Sequence, residues 1–94
     1  MIQDRFQNVW DALEKTPAKA AHMKARSELM IAIRMMVDDW SVTQTQAAKR
    51  LGITQPRMND LLRGRIDKFS LDALMTLASS AGLIVEWRII KPAA

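Results

Sequence analysis

The sequence lacks several features that whole classes of proteins require. It has no cysteine, so it forms neither a disulfide framework nor a thiolate metal site, and it offers no thiol nucleophile. No apolar run approaches the length that crosses a bilayer, and residues 1–10 are polar and charged rather than basic and then apolar. We therefore expect a cytoplasmic protein.

Catalytic residue types are equally scarce. His22 is the only histidine, and the sequence places no set of metal ligands and no serine-type triad around it. Asp38 and Asp39 are adjacent, but neighbours in sequence on a helix do not face one another, so they do not form an acid and base pair. We predict no enzyme activity, no metal site and no cofactor.

Glycine and proline are also rare, at three residues each among 94, whereas 49% of the residues are hydrophobic and 26% are charged. This composition is typical of a folded helical protein. The length suffices for one domain with one hydrophobic core. We expect an N-terminal helical extension over residues 1–24, the main domain over residues 25–82, and a C-terminal segment over residues 83–94.

Apolar residues recur at helical spacing along most of the chain. Phe6, Val9, Trp10 and Leu13, for example, share one stripe of a short helix. Ser27 is an additional N-cap candidate, which leaves open a break in the long second helix. The pattern predicts five helices, over residues 4–15, 17–39, 44–51, 55–63 and 70–82.

The most informative segment is residues 43–62, whose spacing describes two short helices that cross at a tight turn. Thr43 and Gln46 have the spacing of a reciprocal capping box at the start of the first helix. Ala48 leaves room for the second helix to lie close, and Gly52 is suited to the left-handed conformation that ends the first. The segment is therefore predicted to be a helix-turn-helix.

The boundaries of the second motif helix follow from similar signals. Thr54 is its N-cap candidate, and Pro56 is tolerated in the first turn because its missing N–H has no intrahelical partner there. Gly64 ends the helix. Met58 and Leu61 are predicted to face the core.

The net charge of +4 is confined to the middle of the chain. Acidic and basic residues cancel before residue 41 and again after residue 68, and in between six basic residues outnumber two acidic ones. The basic segment and the helix-turn-helix are therefore the same stretch of chain. A polyanion is the partner that this coincidence favours, because phosphate neutralisation releases condensed counterions.

The segment Leu83 to Ile90 breaks the helical pattern, because it is rich in β-branched residues and its polar members alternate with large apolar ones. This pattern predicts a strand. Since no second strand is visible in the sequence, we expect a second copy of the chain to pair with it. A tail folded over its own core and a strand added by another protein remain alternatives. The expected dimer interface is Leu83, Val85, Trp87 and Ile89.

The span from about Arg26 to Gly82 resembles the lambda-repressor-like, or Xre-type, DNA-binding domains. Within them it is most similar to HigA-like antitoxins, through the residues from Leu62 to Arg65, those from Phe69 to Leu71, and the short apolar tail. The motif residues that carry the resemblance are Thr43-Gln44, Ala47-Ala48, Leu51-Gly52-Ile53, Thr54-Gln55 and Leu61-Leu62-Arg63-Gly64.

This resemblance implies an all-α fold, a five-helix lambda-repressor-like bundle with a central helix-turn-helix, to which we add the C-terminal strand that pairs between chains. It also implies that the protein binds an operator in double-stranded DNA as a homodimer and, if HigA-like, neutralises a ribonuclease toxin. Pro56 departs from the family pattern, because relatives often carry a polar side chain there.

The second motif helix is expected to enter the major groove with its N-terminal half against the base edges. Gln55 and Asn59 have the groups that bind adenine through N6 and N7, and Arg57 has those that bind guanine through O6 and N7. Asp60 either accepts a hydrogen bond from cytosine N4 or steadies Arg57 or Arg63. The expected phosphate contacts, which set register rather than sequence, are Gln44, Thr54, Arg63, Arg65 and Lys68.

Three functional hypotheses follow, in order of preference. The first is a dimeric transcriptional repressor that binds a palindromic operator. The second is a HigA-like antitoxin that regulates its own operon and also binds a toxin. An enzyme comes last, because the sequence contains no recognisable set of nucleophile, base and oxyanion donors.

Overall fold

The computed structural model describes residues 16–93, which fold into helices connected by short turns. The helix predicted over residues 4–15 lies outside the described residues. The long first helix of the described chain is continuous, so no break occurs at Ser27. The elements are α1 (Pro17–Trp40), α2 (Gln44–Leu51), α3 (Gln55–Leu62), a 3₁₀ turn (Ile66–Lys68) and α4 (Leu71–Ser80).

The predicted fold class, a five-helix bundle with one C-terminal strand, is wrong. Residues 16–93 contain four α-helices and no strand. Among the described residues, the backbone hydrogen bond nearest the C-terminus runs from the Leu83 N–H to the Ala78 carbonyl at 2.9 Å. Leu83 and Val85 are half-buried against the core, while Ile84 and Glu86 are exposed. An irregular tail that lies on a core therefore produces the alternation that predicted a strand.

Side-chain caps define where the helices begin. The capping box predicted at α2 is confirmed: Thr43 Oγ1 accepts from the Gln46 N–H at 3.1 Å, and Gln46 Oε1 accepts from the Thr43 N–H at 3.2 Å. Thr54 caps α3 as predicted, by accepting from the Arg57 N–H at 3.3 Å. The predicted end of α2 is also confirmed, since Gly52 has a φ of 72° and so occupies the left-handed region that favours glycine.

The core is formed mainly where α1 packs on α4 and where α2 packs on α3. Met58 and Leu61 of α3 are fully buried, as predicted from the sequence. Phe69, which follows the 3₁₀ turn, is 1% exposed and closes the core beside α3. No polar or charged residue among residues 16–93 is buried, so the charged groups of this part of the chain lie at or near the surface. Within the same range, no helix is both long and apolar enough to cross a membrane.

Candidate nucleic-acid interface

The start of α3 adjoins the start of α2. Gln55, the first residue of α3, donates a hydrogen bond from Nε2 to Oγ1 of Thr45, the second residue of α2, at 2.6 Å. Both side chains are exposed. The first turns of the two motif helices therefore present their polar side chains on one continuous surface. Sequence analysis missed Thr45, because its role depends on a contact between residues ten positions apart.

The candidate base-contacting residues differ in their exposure and in their contacts with the rest of the chain. Gln55 and Asn59 are exposed and lie one helical turn apart on α3. Arg57 is half-buried. Its Nη1 donates to the Lys68 carbonyl oxygen at 2.9 Å, and its guanidinium carbon lies 4.4 Å from the centre of the Phe69 ring. Gln55 and Asn59 are thus the more accessible of the three.

Asp60 pairs with Arg65 rather than with either of the two partners suggested by helical spacing. The distance from Asp60 Oδ1 to Arg65 Nη1 is 3.5 Å. The backbone explains the choice, because Gly64 has a φ of 72° and the Arg65 N–H reaches back to the Asp60 carbonyl at 3.0 Å. Spacing along a helix did not predict this pair, since Arg65 lies beyond the end of α3.

The candidate phosphate-contacting residues are all exposed. Arg65 and Lys68 lie on the turn that follows α3, and the contacts of this turn with Asp60 and Arg57 hold it alongside that helix. Basic groups therefore flank the polar residues of α3. The full set of candidate phosphate contacts is Gln44, Thr54, Arg63, Arg65 and Lys68.

A further basic side chain of α2 is engaged with the end of α1. The guanidinium carbon of Arg50 lies 4.9 Å from the centre of the Trp40 ring, which is within the range of a cation–π contact. Trp40 is half-buried. This contact joins the end of α1 to the last turn of α2, and it keeps a positive charge on the surface of α2.

The four residues predicted to form a dimer interface fall into two groups. Leu83 and Val85 pack on the core of their own chain. Trp87 is 58% exposed and Ile89 is 95% exposed. The tail lies along α1, where it forms one wall of an open groove. Of the four residues, only Trp87 and Ile89 expose more than half of their surface to another molecule.

Comparison with known proteins agrees with the fold. A family model described as a helix-turn-helix domain matches residues 13–90. A solved structure described as an XRE family transcriptional regulator superimposes with a TM-score of 0.71 and is 33% identical in sequence. The match covers 78% of this chain and 82% of the other. No match was found among curated proteins.

Proposed function

The chain belongs to the XRE-type helix-turn-helix family, and we propose that it is a transcriptional regulator that binds double-stranded DNA with α3 in the major groove. The observation that carries this proposal is the surface formed by the first turns of α2 and α3. Exposed amide side chains lie there, exposed basic residues lie at the end of α2 and just after α3, and the net positive charge of the chain is concentrated in residues 41–68. Such a surface is complementary to base edges flanked by phosphates.

Gln55 and Asn59 are the proposed base readers. A glutamine or asparagine amide binds adenine in a bidentate manner, with its oxygen accepting from N6 and its N–H donating to N7. The hydrogen bond from Gln55 to Thr45 uses one N–H and leaves the oxygen and the second N–H for the base. Thr45 therefore orients the Gln55 amide before DNA arrives.

The proposed phosphate contacts surround these readers. Arg63, Arg65 and Lys68 supply positive charge at the C-terminal end of α3 and on the following turn. Gln44 and Thr54 lie at the starts of α2 and α3, where free backbone N–H groups also favour a phosphate. These contacts would hold the protein in register on the duplex without reading its sequence.

We further propose that the regulator is a repressor that binds a palindromic operator as a homodimer. Two copies related by a two-fold axis present two α3 helices to half-sites about 34 to 36 Å apart. The exposed Trp87 and Ile89 support association through the tail, since large apolar side chains at such exposure favour burial against a partner. The contact we propose uses side chains and requires no strand.

A selection of bound sequences from a random pool of DNA duplexes tests the proposal. We expect the protein to enrich a palindromic sequence with adenines in each half-site, because amide side chains are the proposed readers. Affinity for that sequence should fall steeply as salt is raised. A pool that stays random after repeated rounds in dilute buffer would reject sequence-specific binding.

A HigA-like antitoxin is the second candidate. The specific observation in its favour is apolar surface outside the motif, where Ile31 and Met35 of α1 are 54% and 65% exposed. Such a patch suits a protein partner. A neighbouring reading frame for a small basic ribonuclease, whose RNA cleavage this chain inhibits on mixing, would favour the antitoxin. If the ribonuclease cleaved RNA equally well in the presence of this chain, the antitoxin would be rejected in favour of a regulator without a toxin partner.

A further inference from the structure

We propose that Arg57 is a positioning residue, which holds the turn after α3 in place, and that it does not read a guanine. The inference rests on the proposed DNA-binding function and deepens it. Its basis is the pair of contacts that Arg57 makes within its own chain, with the Lys68 carbonyl oxygen at 2.9 Å and the Phe69 ring at 4.4 Å.

These contacts compete with base reading. A bidentate contact with guanine needs two N–H groups of the guanidinium aimed at O6 and N7. In Arg57, one Nη donates to Lys68 while the guanidinium is placed over a ring that is 1% exposed. Turning toward a base would break a charge-assisted hydrogen bond and a partly desolvated cation–π contact. The intramolecular position is therefore the favoured one.

A second arginine holds the same turn from the opposite helix. Arg26 of α1 donates from Nη1 to the Phe69 carbonyl oxygen at 3.5 Å. Consecutive carbonyl groups, those of Lys68 and Phe69, thus accept from arginines on α1 and on α3. The turn is anchored between these helices by its backbone, so its position does not depend on the side chains it presents to solvent.

The anchored turn carries Arg65 and Lys68, which are proposed phosphate contacts. Arg57 belongs to α3 and is hydrogen-bonded to the turn. It therefore fixes the distance between the positive charges of Arg65 and Lys68 and the base readers on α3. Base specificity then falls to Gln55 and Asn59. The expected operator is therefore recognised mainly through adenines, with Arg57 acting through the phosphate contacts.

The first test measures thermal unfolding without DNA. Arg57→Met keeps the aliphatic stem and removes the guanidinium, and we expect it to lower the Tm by about 4 to 8 °C. The matched control is Arg88→Met on the exposed tail, for which we expect an unchanged Tm. In an Arg57→Met, Phe69→Leu double variant the two shifts should not add, because the residues are in contact. Equal Tm values for Arg57→Met and Arg88→Met would overturn the proposal.

The second test measures DNA binding at a temperature where every variant is folded. The Arg57→Met variant should select the same consensus from a random pool as the unchanged protein. Lys68→Ala should weaken binding less in the Arg57→Met background than alone, by a factor of at least about two, because Lys68 has already lost its placement. Strictly additive losses would indicate a merely structural role and contradict the proposal.

Loss of a guanine preference in the Arg57→Met consensus would also overturn it. Replacing that guanine by 7-deazaguanine, which lacks the N7 acceptor, would then weaken binding of the unchanged protein and not of the variant. If the unchanged protein selects no consensus, the proposed function itself fails. The thermal comparison still decides in that case whether Arg57 holds the turn.

Discussion

At the scale of single residues, recognition depends on which side chains are held and which are free before DNA arrives. The amide of Gln55 is oriented by Thr45 and keeps its oxygen available, whereas the guanidinium of Arg57 is engaged with its own chain. Both residues are of types that read bases, and helical spacing placed both on the recognition helix. Their partners lie 10 and 11 positions away, so only the folded chain distinguishes their roles.

Alanine substitutions should separate reading from phosphate binding. We expect Gln55→Ala to weaken binding to the selected operator by about 1 to 3 kcal/mol and to leave binding to random DNA nearly unchanged. Lys68→Ala should weaken both and lower the slope of log affinity against log salt by about one. Lys19→Ala, at an exposed basic residue of α1 outside the motif, is the control for a general loss of charge. Fluorescence anisotropy measures these affinities. If Gln55→Ala lost equal affinity for the operator and for random DNA, Gln55 would not be a base reader.

At the scale of elements, the crossing of α2 and α3 is made possible by small and flexible residues. Ala48 is 3% exposed in α2, and its carbonyl oxygen accepts from the Ile53 N–H at 3.0 Å as the chain turns toward α3. Gly52 supplies the left-handed conformation at that turn. Capping and turn residues act within a few positions, which is why the boundaries of this motif could be predicted closely from sequence.

A larger residue at Ala48 should disturb the crossing. We expect Ala48→Leu to lower the free energy of unfolding by about 1 to 3 kcal/mol, because the added volume has no space at a well-packed position. The Ala48→Leu variant should also bind DNA more weakly than other variants of equal stability, because the larger side chain displaces α3. Ala20→Leu, the same change at an exposed position of α1, is the control. If the two variants had identical urea denaturation midpoints, the structure would have room for a larger side chain at Ala48, contrary to this prediction.

At the scale of the whole molecule, two kinds of exposed surface bear on the proposed contacts. Polar and basic residues of α2, α3 and the following turn form the proposed DNA surface, while large apolar side chains are exposed on the tail and on α1. A dimeric regulator requires that the surface that binds a second copy stay clear of the duplex, and the tail meets this requirement because its groove is lined by α1 and by no residue of α2 or α3. The homodimer remains a proposal.

Replacing two of the exposed apolar residues of the tail, Trp87 and Ile89, tests the dimer. The double variant Trp87→Ser, Ile89→Ser should sediment as a monomer and bind the palindromic operator much more weakly, because two half-sites are no longer engaged together. The matched control is Ile31→Ser, Met35→Ser, which removes a comparable exposed pair from α1. A dimer that persists in the tail variant during analytical ultracentrifugation would refute association through Trp87 and Ile89.

The sequence by itself determined the helix-turn-helix, its caps and the location of the net charge, because hydrophobic periodicity, capping and glycine conformation act over short distances along the chain. The tertiary structure decided the rest. It placed Leu83 and Val85 on the core of their own chain, where the sequence had indicated a strand, and it joined Asp60 to Arg65 and Arg57 to the turn after α3. These outcomes depend on where the chain passes after each helix ends, and no local pattern of residues specifies that path.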